Sequence, residues 1–132
     1  MTKTVLIGAG NLAFHFYKKL TNCNEVNLIQ WYSRSVQKIN FAKKQIEVTD
    51  QFSQIKSADL YLICVSDDAI GSICKKINTT EMVVHCAGGV SIDQLKGTPR
   101  KGVFYPLQTF SKDQDLSFDQ LPFCIETTDP KD

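Results

Sequence analysis

The chain has 132 residues, 42% of them apolar and 22% charged, which is enough for one domain with a genuine core. Fifteen basic residues against fourteen acidic ones leave a net charge of +1. That balance gives no electrostatic footprint for nucleic acid or a membrane surface, and no apolar run reaches the ~20 residues that cross a bilayer.

Strand and helix signals alternate along the chain. "TVLIG" (4–8) reads as a buried strand and residues 11–21 as a helix. "VNLIQWYS" (26–33) is a second strand. "SVQKINFAKK" (35–44) is expected to be helical with Ser35 as N-cap, "IEV" (46–48) a short strand, and "DQFSQIKSA" (50–58) a short helix. "DLYLICV" (59–65) is the clearest strand. Ile70, Ile73, Cys74 and Ile77 then follow the i, i+3, i+4, i+7 spacing of one buried helix face. "MVVHCA" (82–87), "GVFYPLQTF" (102–110) and "LPFCIE" (121–126) complete the strands. Strands apolar on both faces and separated by helices predict an α/β fold, a doubly wound and mostly parallel sheet with helices on both faces. Residues 1–132 form one such domain.

The five cysteines form no CxxC pair, and their odd number argues against a disulfide framework. Buried, reduced thiols and a cytoplasmic setting are expected. The N-terminus lacks the order of a signal peptide, because Gly8 and Gly10 interrupt its apolar run.

"GAGNLA" places Gly8, Gly10 and Ala13 in a GxGxxA pattern between the first strand and the first helix. Gly8 permits a tight turn. Gly10 leaves room for a pyrophosphate, and Ala13 lets the helix pack closely on the strand. Asn11 and Leu12 open that helix, whose first N–H groups would face the phosphate. A tight turn without ligand is the competing reading. NAD-binding folds place an acid about 20 residues further on. Here "WYSRS" carries Ser33, Arg34 and Ser35 instead, which suits the 2′-phosphate of NADP.

Ligands in open α/β sheets lie outside the carboxyl ends of the strands. Val65, Ser66 and Asp67 follow one strand end. His85 and Gly88 follow another, where Gly88 and Gly89 would admit a flat ring; a His here can titrate near neutrality, although a structural His is the more common case at a strand end. These are the expected cofactor contacts. No catalytic residue is identified, although His85 and Tyr105 are candidate proton donors, and no metal set is present.

"IGAGNLA" and "SRS" resemble pyrroline-5-carboxylate reductases. "CVSDDAI", "VVHCAGGVSIDQL" and "GVFYPLQTF" are closer to Rossmann-like NADP oxidoreductases, kin of the deazaflavin-dependent ones, which carry a helical C-terminal domain of unassigned function. The resemblance covers essentially all 132 residues. It implies an NADP-binding Rossmann domain of an oxidoreductase that transfers hydride to or from an unidentified small molecule. A non-catalytic NADP-sensing or interaction domain is the alternative, and a nucleotide-free flavodoxin-like domain is disfavoured by "GAGNLA" with "SRS". His85 and Gly88 match the His and Gly that follow the fifth strand in that family. Tyr105-Pro106 replaces its usual His-Pro, so no role is carried over there. The helical domain that closes such sites and often builds a homodimer has no counterpart in 132 residues, so the chain alone is expected to be inactive.

Overall fold

The computed structural model describes residues 1–107 and 121–132. Seven strands form one sheet: β1 (Thr2–Ile7), β2 (Val26–Tyr32), β3 (Glu47–Thr49), β4 (Leu60–Ile63), β5 (Met82–His85), β6 (Lys101–Pro106) and β7 (Phe123–Thr127). Their spatial order is β3-β2-β1-β4-β5-β6-β7. All neighbours are parallel except β6 and β7. This is the 3-2-1-4-5-6 order of a dinucleotide-binding fold with one antiparallel strand added at the edge.

Alternate side chains of the central strands feed two cores. Leu6, Trp31, Leu62 and Val84 lie on one face under α1 (Asn11–Leu20), while Val5, Ile7, Ile63 and Val83 lie on the other under α2 (Ile70–Lys76). The sheet is therefore doubly wound, as expected. Within α2 and its C-cap, Ile70, Cys74 and Ile77 are buried and Ile73 is partly buried, as their spacing predicts.

The two other expected helices are not α-helices. Residues 35–44 form consecutive 3₁₀ turns, Val36–Lys38 and Asn40–Lys44. The apolar residues facing the core here are Val36, Ile39 and Ala42, three apart. A 3₁₀ helix stacks positions i and i+3 on one line, which an α-helix does not. Ser35 gives no side-chain cap; its N–H instead donates to Ser33 Oγ at 3.0 Å. Residues 50–58 hold only the turn Phe52–Gln54, because buried polar groups claim their backbone. Gln30 Nε2 donates to the Gln54 carbonyl and to Glu47 Oε1, and Gln30 Oε1 accepts from the Lys56 N–H. The Tyr61 hydroxyl accepts from the Ala58 N–H and donates to the Lys56 carbonyl. The expected strand 102–110 is seen as β6, and its residues 108–110 lie outside the described residues. Among the described residues no helix is long and apolar enough to cross a membrane.

Candidate functional site

The parallel strands β1, β2, β4 and β5 all end on one edge of the sheet. β1 and β4 are neighbours there, although their crossovers leave in opposite directions. The crevice between them is where such sheets bind ligands.

Gly8 begins the turn after β1 with φ of +116°. A Cβ at this position would overlap the carbonyl oxygen of Cys64 at the end of β4. Glycine is thus required twice, once by conformation and once by close approach. The turn is clamped from both sides. The Gly8 N–H donates to the Tyr32 carbonyl at 2.9 Å, and the Cys64 N–H donates to the Ile7 carbonyl at 2.7 Å.

A third clamp is a side chain. Trp31 is fully buried, and its indole N–H donates to the Gly8 carbonyl at 2.6 Å. Tyr17 stacks on Trp31 at 4.9 Å, and Phe14 meets it edge-on at 5.3 Å. Sequence reasoning missed this residue, since its spacing marks it only as a strand position.

Gly10 is the N-cap of α1. It makes no side-chain cap, and the first turn carries no acid. A Cβ on Gly10 would have none of the described residues within 4 Å. The glycine is therefore not demanded by packing; the space above it is open, beside the positive end of a ten-residue helix. Asn11 is exposed and Leu12 half-buried at this mouth, and Ala13 is fully buried beneath it.

After β2, Ser33 is buried, and its hydroxyl shapes the turn that carries Arg34 by accepting the Ser35 N–H. Arg34 is exposed and Ser35 half-buried. Tyr32 is opposite Thr49, and the Ser33 N–H donates to the Thr49 carbonyl at 3.1 Å. That register sets Asp50 beside the Arg34 turn. Burial, then the Asp50 charge, raise the Tyr32 pKa, and Arg34 opposes them. An acid therefore stands one strand away from "WYSRS", which a reading of that stretch alone does not reveal.

After β4, Val65 packs partly into the core, while Ser66 and Asp67 are exposed at the start of a 3₁₀ turn. After β5, His85 and Gly88 have neighbours within the chain. His85 is fully buried. Burial is the main influence on its pKa and lowers it, against the Ser91 and Val90 backbone and the charges of Asp67 and Glu126. Burial thus favours its neutral form. Its Nδ1 accepts the Ala87 N–H at 3.1 Å, so the ring proton sits on Nε2, which has no hydrogen-bond partner among the described residues. Gly88 does admit a flat ring, but that ring is Tyr105, whose Cε2 would lie 2.5 Å from a Cβ on Gly88. Nothing lies within 4 Å of the same direction at Gly89. The Tyr105 phenol pKa is raised, first by a hydrogen bond with Cys124. Among the described residues no cluster of metal-ligating side chains occurs.

The structure thus brings the glycine turn, the Arg34 turn, the Ser66–Asp67 turn and the 86–89 loop to one edge. It withdraws Ser33 and His85 from solvent.

No protein-family model and no curated protein sequence matches the chain. Solved structures do. A putative NADP oxidoreductase from Bacteroides fragilis shares 34% identity and superposes with a TM-score of 0.88, over 98% of this chain and 53% of that one. Prephenate dehydrogenase from A. aeolicus, solved with hydroxyphenyl propionate and NAD+, has 20% identity and a TM-score of 0.69, over 81% of this chain and 42% of its own. 1-Pyrroline-5-carboxylate reductase from Streptococcus pyogenes has 17% identity and a TM-score of 0.65, over 80% and 42%. The chain spans about half the length of these proteins. It belongs to the family of the first, as its motifs suggested, and shares the Rossmann-like fold of the other two.

Proposed function

We propose that this strand-end edge binds NADP(H), and that the chain is the cofactor-binding domain of an oxidoreductase. The observation that carries the reading is the contrast between the two glycines. Gly8 is fixed by contact with Cys64, whereas Gly10 faces open space at an uncapped helix start. A turn kept only for packing has no use for the second glycine; a pyrophosphate does.

The residues present fit such a group. Gly8, Gly10, Asn11 and Leu12 would hold the pyrophosphate. Arg34, with Ser35 and the turn built on Ser33, would take the adenosine ribose and its 2′-phosphate. Val65, Ser66, Asp67 and the loop through Gly88 would border the rest. When bound, the cofactor supplies hydride transfer, and the protein supplies position and field. His85 serves that edge by shaping the 85–87 turn, not by moving a proton. The relatives' names support an oxidoreductase, and the substrate would be a small molecule. The second reading is a domain that senses NADP without turnover.

Calorimetric titration of the 132-residue chain with NADPH tests the proposal. Binding that is lost in a folded Gly10→Val variant supports it. Equal binding by that variant overturns it.

A further inference from the structure

Two of the five thiols are neighbours. In the β4–β5 register Ile63 is opposite His85, and the Cys86 N–H donates to the Ile63 carbonyl at 3.2 Å. The ladder thus runs one residue past both strands and sets Cys64 beside Cys86. Both side chains lie on the face under α1, packed with the same apolar cluster. Adjacent strands are about 4.8 Å apart, inside the ~4.4–6.8 Å Cα separation that a disulfide spans. The neighbouring Cys86 thiol, together with burial, raises the Cys64 pKa.

The pair is asymmetric, with Cys64 buried and Cys86 half-buried at the crevice. The other thiols have different surroundings. Cys74 lies under the opposite face and donates to the Lys96 carbonyl at 3.5 Å. Cys124 on β7 pairs with Tyr105 on β6, and Cys23 follows the end of α1.

We propose that Cys64 and Cys86 are an oxidant-sensitive dithiol, closed to a disulfide by a hydroperoxide, and that closure weakens dinucleotide binding. The Cys86 thiolate attacks one peroxide oxygen and the O–O bond breaks. Cys86 becomes a sulfenic acid, and the departing oxygen leaves as water after taking a proton. Cys64 sulfur then attacks Cys86 sulfur. The S–O bond breaks, and the hydroxide leaves as a second water with the Cys64 proton. Two thiols and one hydrogen peroxide thus give one disulfide and two waters.

The second clause rests on the proposed NADP(H) site. The Cys64 carbonyl is the wall against which Gly8 is packed. A sulfur–sulfur bond of about 2.05 Å ties the Cys64 backbone to the end of β5, and any displacement of its carbonyl falls on a turn that has no slack to follow.

The test treats the purified chain with hydrogen peroxide. Free thiols are counted, linked peptides are mapped by mass spectrometry, and NADPH affinity is measured before, after, and after reduction with dithiothreitol. The expected result is a fall from five thiols to three, a Cys64–Cys86 link, and an affinity about tenfold weaker that dithiothreitol restores. Cys86→Ser should keep its affinity through the treatment. Cys64→Ser should accumulate a sulfenic acid on Cys86 that dimedone traps. Five surviving thiols, or a link through Cys23, Cys74 or Cys124, would overturn the pair. A Cys64–Cys86 link with unchanged affinity would overturn its coupling to binding. Failure of the reduced chain to bind NADPH would count against the proposed function instead, and the thiol count would still decide the pair.

Discussion

Trp31→Phe tests whether the glycine turn is held by its neighbours or only packed among them. The indole N–H is a donor to the Gly8 carbonyl at 2.6 Å, with Trp31 fully buried. Phenylalanine keeps an aromatic ring for Tyr17 and Phe14 to pack against but removes the donor. Loss of the bond and the orphaned carbonyl should cost about 1–3 kcal/mol. The smaller ring leaves a void worth roughly another 1 kcal/mol. Against a typical stability of about 5–15 kcal/mol, the domain should still fold. Gly8 then samples other conformations, and binding must restore the one at φ of +116°. If about 1 kcal/mol of the lost bond falls on that step, NADPH affinity drops roughly fivefold. Thermal unfolding and calorimetric titration measure the two effects separately. Tyr61→Phe is the control, because it loses the bonds to Ala58 and Lys56 far from the edge. It should lower stability and leave affinity unchanged. If Trp31→Phe behaves like this control, the indole clamp has no part in binding.

The two glycines should separate cleanly. Gly8→Ala places a side chain at φ of +116° and into the Cys64 carbonyl, so its melting temperature should fall by several degrees or the chain should fail to fold. Gly10→Val meets open space and should melt within a few degrees of wild type while losing NADPH in the titration. His85 gives a pH signature. Its pKa is lowered by burial, so between about 6.5 and its folded value the unfolded chain binds more protons than the native one. The contribution of neutral His85 is therefore fully present above that upper value and is lost as pH falls below it. Urea midpoints from pH 5.5 to 8 should show this slope, and His85→Gln should flatten it; an unchanged slope would refute the assignment.

The sheet was legible because central parallel strands are buried on both faces, so β1, β4 and β5 read as apolar runs. The glycine turn after β1 was legible because Gly8 and Gly10 lie one residue apart in sequence. What was missed depends on strands meeting. Trp31 reaches Gly8 across the β1–β2 pairing, and Asp50 approaches Arg34 only through the β2–β3 register. Gly88 meets Tyr105 because β6 lies beside β5. The polar lock by Gln30 and Tyr61 that prevents a helix at 50–58 joins residues up to 26 apart. The 35–44 segment failed for a local reason, since Val36, Ile39 and Ala42 at three-residue spacing serve a 3₁₀ face as well as one side of an α-helix.

The proposed ligand is a dinucleotide whose 2′-phosphate sits beside Arg34. Its most direct measurement is the pair of dissociation constants for NADPH and NADH, in wild type and Arg34→Ala at matched ionic strength. Trp31 is the single tryptophan and lies under the site, so energy transfer from it to the dihydronicotinamide offers the signal. A charge-assisted contact is worth about 1.5–3 kcal/mol, and exposure of Arg34 together with the nearby Asp50 charge brings it toward the lower end. Wild type should bind NADPH roughly tenfold more tightly than NADH, and Arg34→Ala should erase most of that difference while leaving NADH nearly unchanged. Preference for NADH in the wild type would assign the turn to Asp50 and a ribose hydroxyl and contradict the NADP reading. Binding of neither cofactor would contradict the site itself.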